Sequence, residues 1–118
     1  MTSPAEPAPG DPRDQIATEI LRVHEESYGT GAGSVAVHIL EDAVFVVLDE
    51  LELSALERTL LDGGHDDVIS DTRAAFQTAI EGTFGAIVER ATGRRVTSFL
   101  SNTSVRSLYS VEIFRLAT

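Results

Sequence analysis

The sequence predicts an α+β domain: a four-stranded, mostly antiparallel sheet with helices packed on it, in the order αββααββ. Three observations carry that prediction. Residues 34–40, 43–49 and 108–116 alternate between apolar and polar, or run apolar throughout, over strand-like lengths. Residues 11–28 and 66–92 repeat apolar side chains at helical spacing. Glycines at 29, 63–64 and 93 fall where those helices should stop.

The chain has 118 residues, room for one domain with a real core, and 42% of them are apolar, too many for a disordered chain. Residues 1–10, MTSPAEPAPG, read as a flexible tail, and 11–118 as the single domain. That tail lacks the basic and apolar regions of a signal peptide, and no apolar run approaches the roughly 18 residues needed to span a bilayer. The expectation is a protein with no direct membrane insertion. The absence of cysteine removes disulfides and thiol chemistry and fits a cytoplasmic setting. A net charge of −10 repels phosphate backbones, and Arg94, Arg95 and Arg106 make too thin a basic stripe to overcome it, so no nucleic-acid partner is expected.

Asp11 followed by Pro12 opens the first helix, a cap and then proline at the first helical position. Ile16, Ile20, Val23 and Ser27 form its stripe, flanked by Ala17, Leu21, His24 and Tyr28. YGTGAGS then leaves a helix and opens a strand, the reverse of a phosphate-cradling loop. A helix stop and tight turn is the ordinary reading, with a backbone anion nest as the alternative.

The segment VAVHILEDAVFVVLD, residues 35–49, makes two strands about a Glu41-Asp42 turn that lacks the usual hairpin glycine. Strand 43–49 is apolar on both faces, so both should be covered, either by a helix crossing over or by a second copy. If the Phe45 ring is buried, Phe45→Ala costs about 3–5 kcal/mol. Ser54 and Glu57 match a capping box, with Leu56, Leu60 and Leu61 as a short apolar face.

The long helix from Asp66 to Thr92 should bury Val68, Ile69, Thr72, Phe76, Ile80, Phe84, Ile87 and Val88. Gly82 and Gly85, with Ala75, Ala79 and Ala86, suggest a face for close backbone packing. VTSFL is the third strand, SNTSV a polar connection, and LYSVEIFRL the fourth strand, where Tyr109, Val111 and Ile113 alternate with Ser110, Glu112 and Phe114.

No catalytic, cofactor or metal residues emerge. His24, His38 and His65 are scattered, and His38, among apolar neighbours, reads as an interior or interface histidine. Glu41-Asp42 and the HDD at 65–67 lack further ligands nearby. Nucleophile, P-loop and zinc motifs are missing, so the expectation is a non-enzyme without cofactors.

Read whole, the chain resembles the MpsC-like family from about Ile16 to Leu116. The resemblance rests on Tyr28-Gly29-x-Gly31, the L-x-x-x-E-x-x-L-L segment at 53–61, and Thr92-Gly93-Arg94 before the third strand. The chain departs from the family pattern at Ala32, where proline is common, and at SNTSVR, where acids are common. The resemblance implies a link to a sodium-translocating, membrane-potential-generating system, also tied to uptake of dissolved inorganic carbon, in which other proteins cross the membrane.

The combined expectation is a cytoplasmic accessory or regulatory module, homodimeric, that binds a membrane transport subunit or a signalling protein. Phe45, Val47, Val111 and Ile113 would form the sheet and dimer core, and Tyr28, Gly29, Gly31 and Arg94 a recognition edge. The alternative is a sensor for a small anion such as bicarbonate, built on the glycine turn and Arg94.

Overall fold

The computed structural model describes residues 10–118, so the tail expected over 1–10 lies, apart from Gly10, outside the described residues. Helix α1 (Pro12–Tyr28) starts where the Asp11 carboxylate accepts the Arg13 amide at 3.0 Å, and it ends at Gly29 in a left-handed conformation, φ 97°. Its buried line is Ile16, Ile20 and His24, spaced by fours, and Ser27 is exposed.

Strands β1 (Ala32–Leu40) and β2 (Ala43–Leu51) pair antiparallel, with Leu40 opposite Ala43 across the Glu41-Asp42 turn. Glu41 takes the left-handed conformation, φ 46°, that glycine would adopt more cheaply. Helix α2 (Ala55–Asp62) begins with the full capping box, Ser54 and Glu57 each bonding the other's backbone amide. Its leucines are not its anchor. Leu56 is 70% exposed, and Glu57 is the residue it buries.

Helix α3 (Asp66–Thr92) ends at Gly93, φ 70°. Val68 and Thr72 are exposed, whereas Arg73 and Gln77 are buried between Ile69 and Phe84. The expected close packing at Gly82 and Gly85 does not occur, because a Cβ at either would meet nothing within 4 Å. Those glycines instead border an open groove between α3 and the strand that follows. Strand β3 (Val96–Ser104) runs on through most of SNTSV, because those residues continue to pair with β4 (Tyr109–Leu116), and the connection shrinks to residues 105–108.

The sheet order is β1-β2-β4-β3, antiparallel throughout, which places β2 and β4 at the centre. Val44, Val46 and Leu48 of β2, with Phe114 of β4, bury completely. They pack against Ile16 and Ile20 of α1 and Phe84, Ile87 and Val88 of α3. The helices therefore cover one face of the sheet. On the other face, side chains of the described residues are half-buried or exposed.

Candidate interaction face

Strand pairing lays out the uncovered face as four rows running across the strands. One central row is His38, Phe45, Ile113 and Leu100, and the next is Ala36, Val47, Val111 and Asn102. The structure thus brings Phe45, Val47, Val111 and Ile113 together, with Phe45 directly opposite Ile113 and Val47 opposite Val111. These four lie on the outer side of the sheet and are half-buried, so they are not part of the helix-covered core. His38, expected inside or at an interface, is exposed on this face, and the interior histidine is His24.

The face is apolar well beyond its centre. Leu40, Leu100 and Tyr109, all on it, are 59%, 67% and 40% exposed. A groove of about 460 Å³ runs along it between the hairpin turn, Phe45, Leu100 and Ile113. Contiguous apolar surface of this kind on a folded chain marks an interaction site more often than isolated exposed leucines do.

The residues expected to form one recognition edge lie at opposite ends of the sheet. Arg94 lies by the Glu41-Asp42 turn, where its guanidinium donates to the Glu41 carbonyl and the Ala117 carbonyl, each at 2.7 Å, and to the Asp42 carboxylate. It clasps the β1–β2 turn to the end of β4. Tyr28, Gly29 and Gly31 sit at the other end of β1, roughly 27 Å away along a nine-residue strand.

At the Tyr28 end the hydroxyl donates to Glu57 Oε2 at 2.7 Å. Arg73 holds the same carboxylate bidentately, Nε to Oε2 and Nη2 to Oε1, both at 2.9 Å, and its guanidinium lies 4.4 Å from the Tyr28 ring centre. Arg73 also donates to the Glu52 carbonyl at 3.2 Å, while Glu52 accepts the Gly31 amide at 3.0 Å. Burial pushes Glu57 up, but its bonds from Arg73, Ser54 and Tyr28 outweigh that and hold it below the usual carboxylate range. Burial, joined by the bond to Glu57, raises Tyr28 to about 12. Burial lowers His24, which in neutral form donates from Nδ1 to the Thr30 carbonyl at 2.8 Å. This network ties α1, the glycine turn and α2 onto α3. Every charge in it has a partner.

A second buried acid sits beneath the sheet. Glu112 is fully buried on the helix side of β4, where Ser110 donates to its Oε1 at 3.0 Å and Oε2 has no partner among the described residues. Burial raises it to about 7. The Ser110 hydroxyl and that of Ser101, which itself lacks a hydrogen-bond partner among the described residues, offset only part of the rise. No three His, Asp or Glu side chains converge as a metal site among the described residues.

The family model described as Na+-translocating membrane potential-generating system (MpsC) matches residues 10–118. The chain belongs to the MpsC family. That description implies a component of a sodium-translocating, membrane-potential-generating system. No curated protein and no solved structure matches the chain. Among the described residues no helix is long and apolar enough to cross a membrane.

The buried ion pair was missed in the sequence because Glu57 already had a role as a capping residue. A signal existed in α3, where Arg73 and Gln77 interrupt the apolar positions at a spacing of four from Ile69. An arginine on the buried stripe of an amphipathic helix calls for a buried carboxylate partner. Glu112 carried the same kind of signal, since it shares the period-two face of Phe114 and Leu116.

Proposed function

We propose that this MpsC protein is a non-catalytic cytoplasmic accessory or regulatory module of a membrane ion or inorganic-carbon transport system, acting by protein–protein contact as a homodimer. The observation that carries the reading is the uncovered apolar face. Strands apolar on both sides are usually covered on both, and a contiguous exposed apolar patch marks a binding surface. Four strands about 4.8 Å apart and four rows about 6.8 Å apart give that face roughly 500 Å² in projection, at the lower end of specific interfaces. A reversible dimer suits a regulatory part. The Tyr28–Gly31 end, stiffened by the Glu57–Arg73 pair, remains outside the sheet face and is the recognition edge offered to a transport subunit.

The alternative of a bicarbonate-type sensor loses its support. It needed Arg94 beside the glycine turn, and the arginine is committed to the hairpin at the other end.

The test has two parts. Sedimentation velocity should show the full chain moving from monomer to dimer over micromolar concentrations, and Leu100→Asp should hold it monomeric with an unchanged circular-dichroism spectrum. Cross-linked capture of the tagged chain from its native cells should recover a membrane transport subunit in amounts comparable with the bait. A wild-type chain that stays monomeric at about 100 μM, well above the range expected for such an interface, sinks the dimer. Capture of the chain by itself, with no transport subunit, sinks the accessory role.

A further inference from the structure

The uncovered face is symmetric in its apolar content and antisymmetric in its charge. Beyond the Val47–Val111 row lies a row of Ser34, Asp49, Tyr109 and Ser104, and beyond the Phe45–Ile113 row lies Leu40, Ala43, Arg115 and Ser98. Those two end rows hold one formal charge each, an acid at one end and a base at the other. Both side chains are exposed, and neither forms an ion pair with another described residue. Glu50 and Glu41 lie just outside the rows, one at each end, and Asp42 in the turn is already paired with Arg94. The outer pair therefore does not distinguish the ends. Asp49 and Arg115 do.

Two sheets packed face to face by a closed two-fold have their axis in the plane between them. If the axis runs along the strands, the Asp49 row falls on the Asp49 row and the Arg115 row on the Arg115 row, like on like. If it runs across the strands, midway between the Phe45 and Val47 rows, the two apolar rows exchange and the two end rows exchange. Asp49 then projects over the partner's Ala43, one strand spacing, about 4.8 Å, from the neighbouring Arg115. That distance is within reach of an arginine side chain.

We infer that the face binds a second copy of this chain about a two-fold axis running across the strands, with Asp49 of each protomer meeting Arg115 of the partner subunit. The inference rests on the homodimer reading above and specifies its geometry. The arrangement places an oppositely charged pair at each end of an otherwise apolar seam. Such pairs set orientation and register more than they add affinity. The four rows themselves carry one acid and one base and so no net charge, which lets a chain of net charge −10 meet itself across them.

Charge reversal at two exposed positions tests this directly. Asp49→Arg makes both end pairs Arg–Arg, and Arg115→Glu makes both Asp–Glu, so each variant alone should dimerise at least about 10-fold more weakly than wild type. Mixed one to one, the two variants restore opposite charges at both ends, and native mass spectrometry should show a heterodimer at concentrations where each variant alone is monomeric. The double variant D49R/R115E should recover a homodimer. Far-ultraviolet spectra of all three variants should match wild type, and so should melting temperatures at concentrations low enough that wild type is monomeric, since neither side chain has a buried partner to lose. If wild type dimerises but the single variants do so equally well, or the mixture does not rescue, the axis is wrong while the dimer stands. A monomeric wild type at about 100 μM overturns both.

Discussion

Replacing Glu112 by Gln isolates one buried charge and its pH dependence. Glu112 is fully buried, has one hydrogen bond from Ser110, and is raised to about 7 by burial, against 4.5 for the unburied group. Because the folded value exceeds the unfolded one, the native state holds a proton that the unfolded state has released between those two pH values. Stability is therefore complete below about pH 4.5, falls as pH rises through the folded value, and stays reduced above it. The gap of 2.5 units (7 − 4.5) corresponds to roughly 3 kcal/mol. Glutamine keeps the shape and the acceptor for Ser110, removes the charge, and carries an amide that can donate toward Ser101. Urea melts of both proteins at fixed concentration, every half unit from pH 5 to 8.5, should give nearly equal stabilities at pH 5. At pH 8.5 the variant should be more stable by about 2–3 kcal/mol. Taking the difference removes His24, whose lowered value makes both proteins lose stability toward acid. Parallel curves across the range would refute the reasoning and show that Glu112 is ionised at no cost in the fold.

Three other substitutions probe the remaining contacts. Arg73→Met leaves the buried Glu57 carboxylate without its cation, so it should cost about 3–5 kcal/mol in chemical denaturation. Arg94→Ala removes the clasp between the Glu41-Asp42 turn and Ala117, and a loss of about 1–3 kcal/mol is expected, together with faster amide exchange at Leu116 and Ala117. Phe45→Ala, on the half-buried outer face, should cost the dilute monomer only about 1–2 kcal/mol, less than the 3–5 of a core phenylalanine. In the same variant the unfolding midpoint should stop rising with protein concentration, because the dimer no longer contributes.

What lay open in the sequence were the features that neighbouring residues settle among themselves. Asp11-Pro12 starts α1, Gly29 and Gly93 stop helices by adopting left-handed backbone, and Ser54 with Glu57 caps α2, all through contacts a few residues long. The αββααββ order followed from those stops and from the periodicities between them. Strand extent was less legible. Ser101 to Ser104 favour a turn by composition, and only pairing with β4 keeps them extended.

Tertiary structure alone decided which way each strand faces. On β2 both alternating sets are apolar, so period two shows that Val44, Val46 and Leu48 share a side but not that the helices would take that side. On β4 the pattern suggested Tyr109, Val111 and Ile113 as well as any other set, yet the helices cover Ser110, Glu112, Phe114 and Leu116. Long-range polar pairs were equally hidden. Glu57 meets Arg73 from 16 residues away and Asp42 meets Arg94 from 52, separations over which sequence spacing carries no geometric information. The helix-free face, with Asp49 and Arg115 at its two ends, exists only because four strands from distant parts of the chain align in one register, and burial of the opposite face fixes that register.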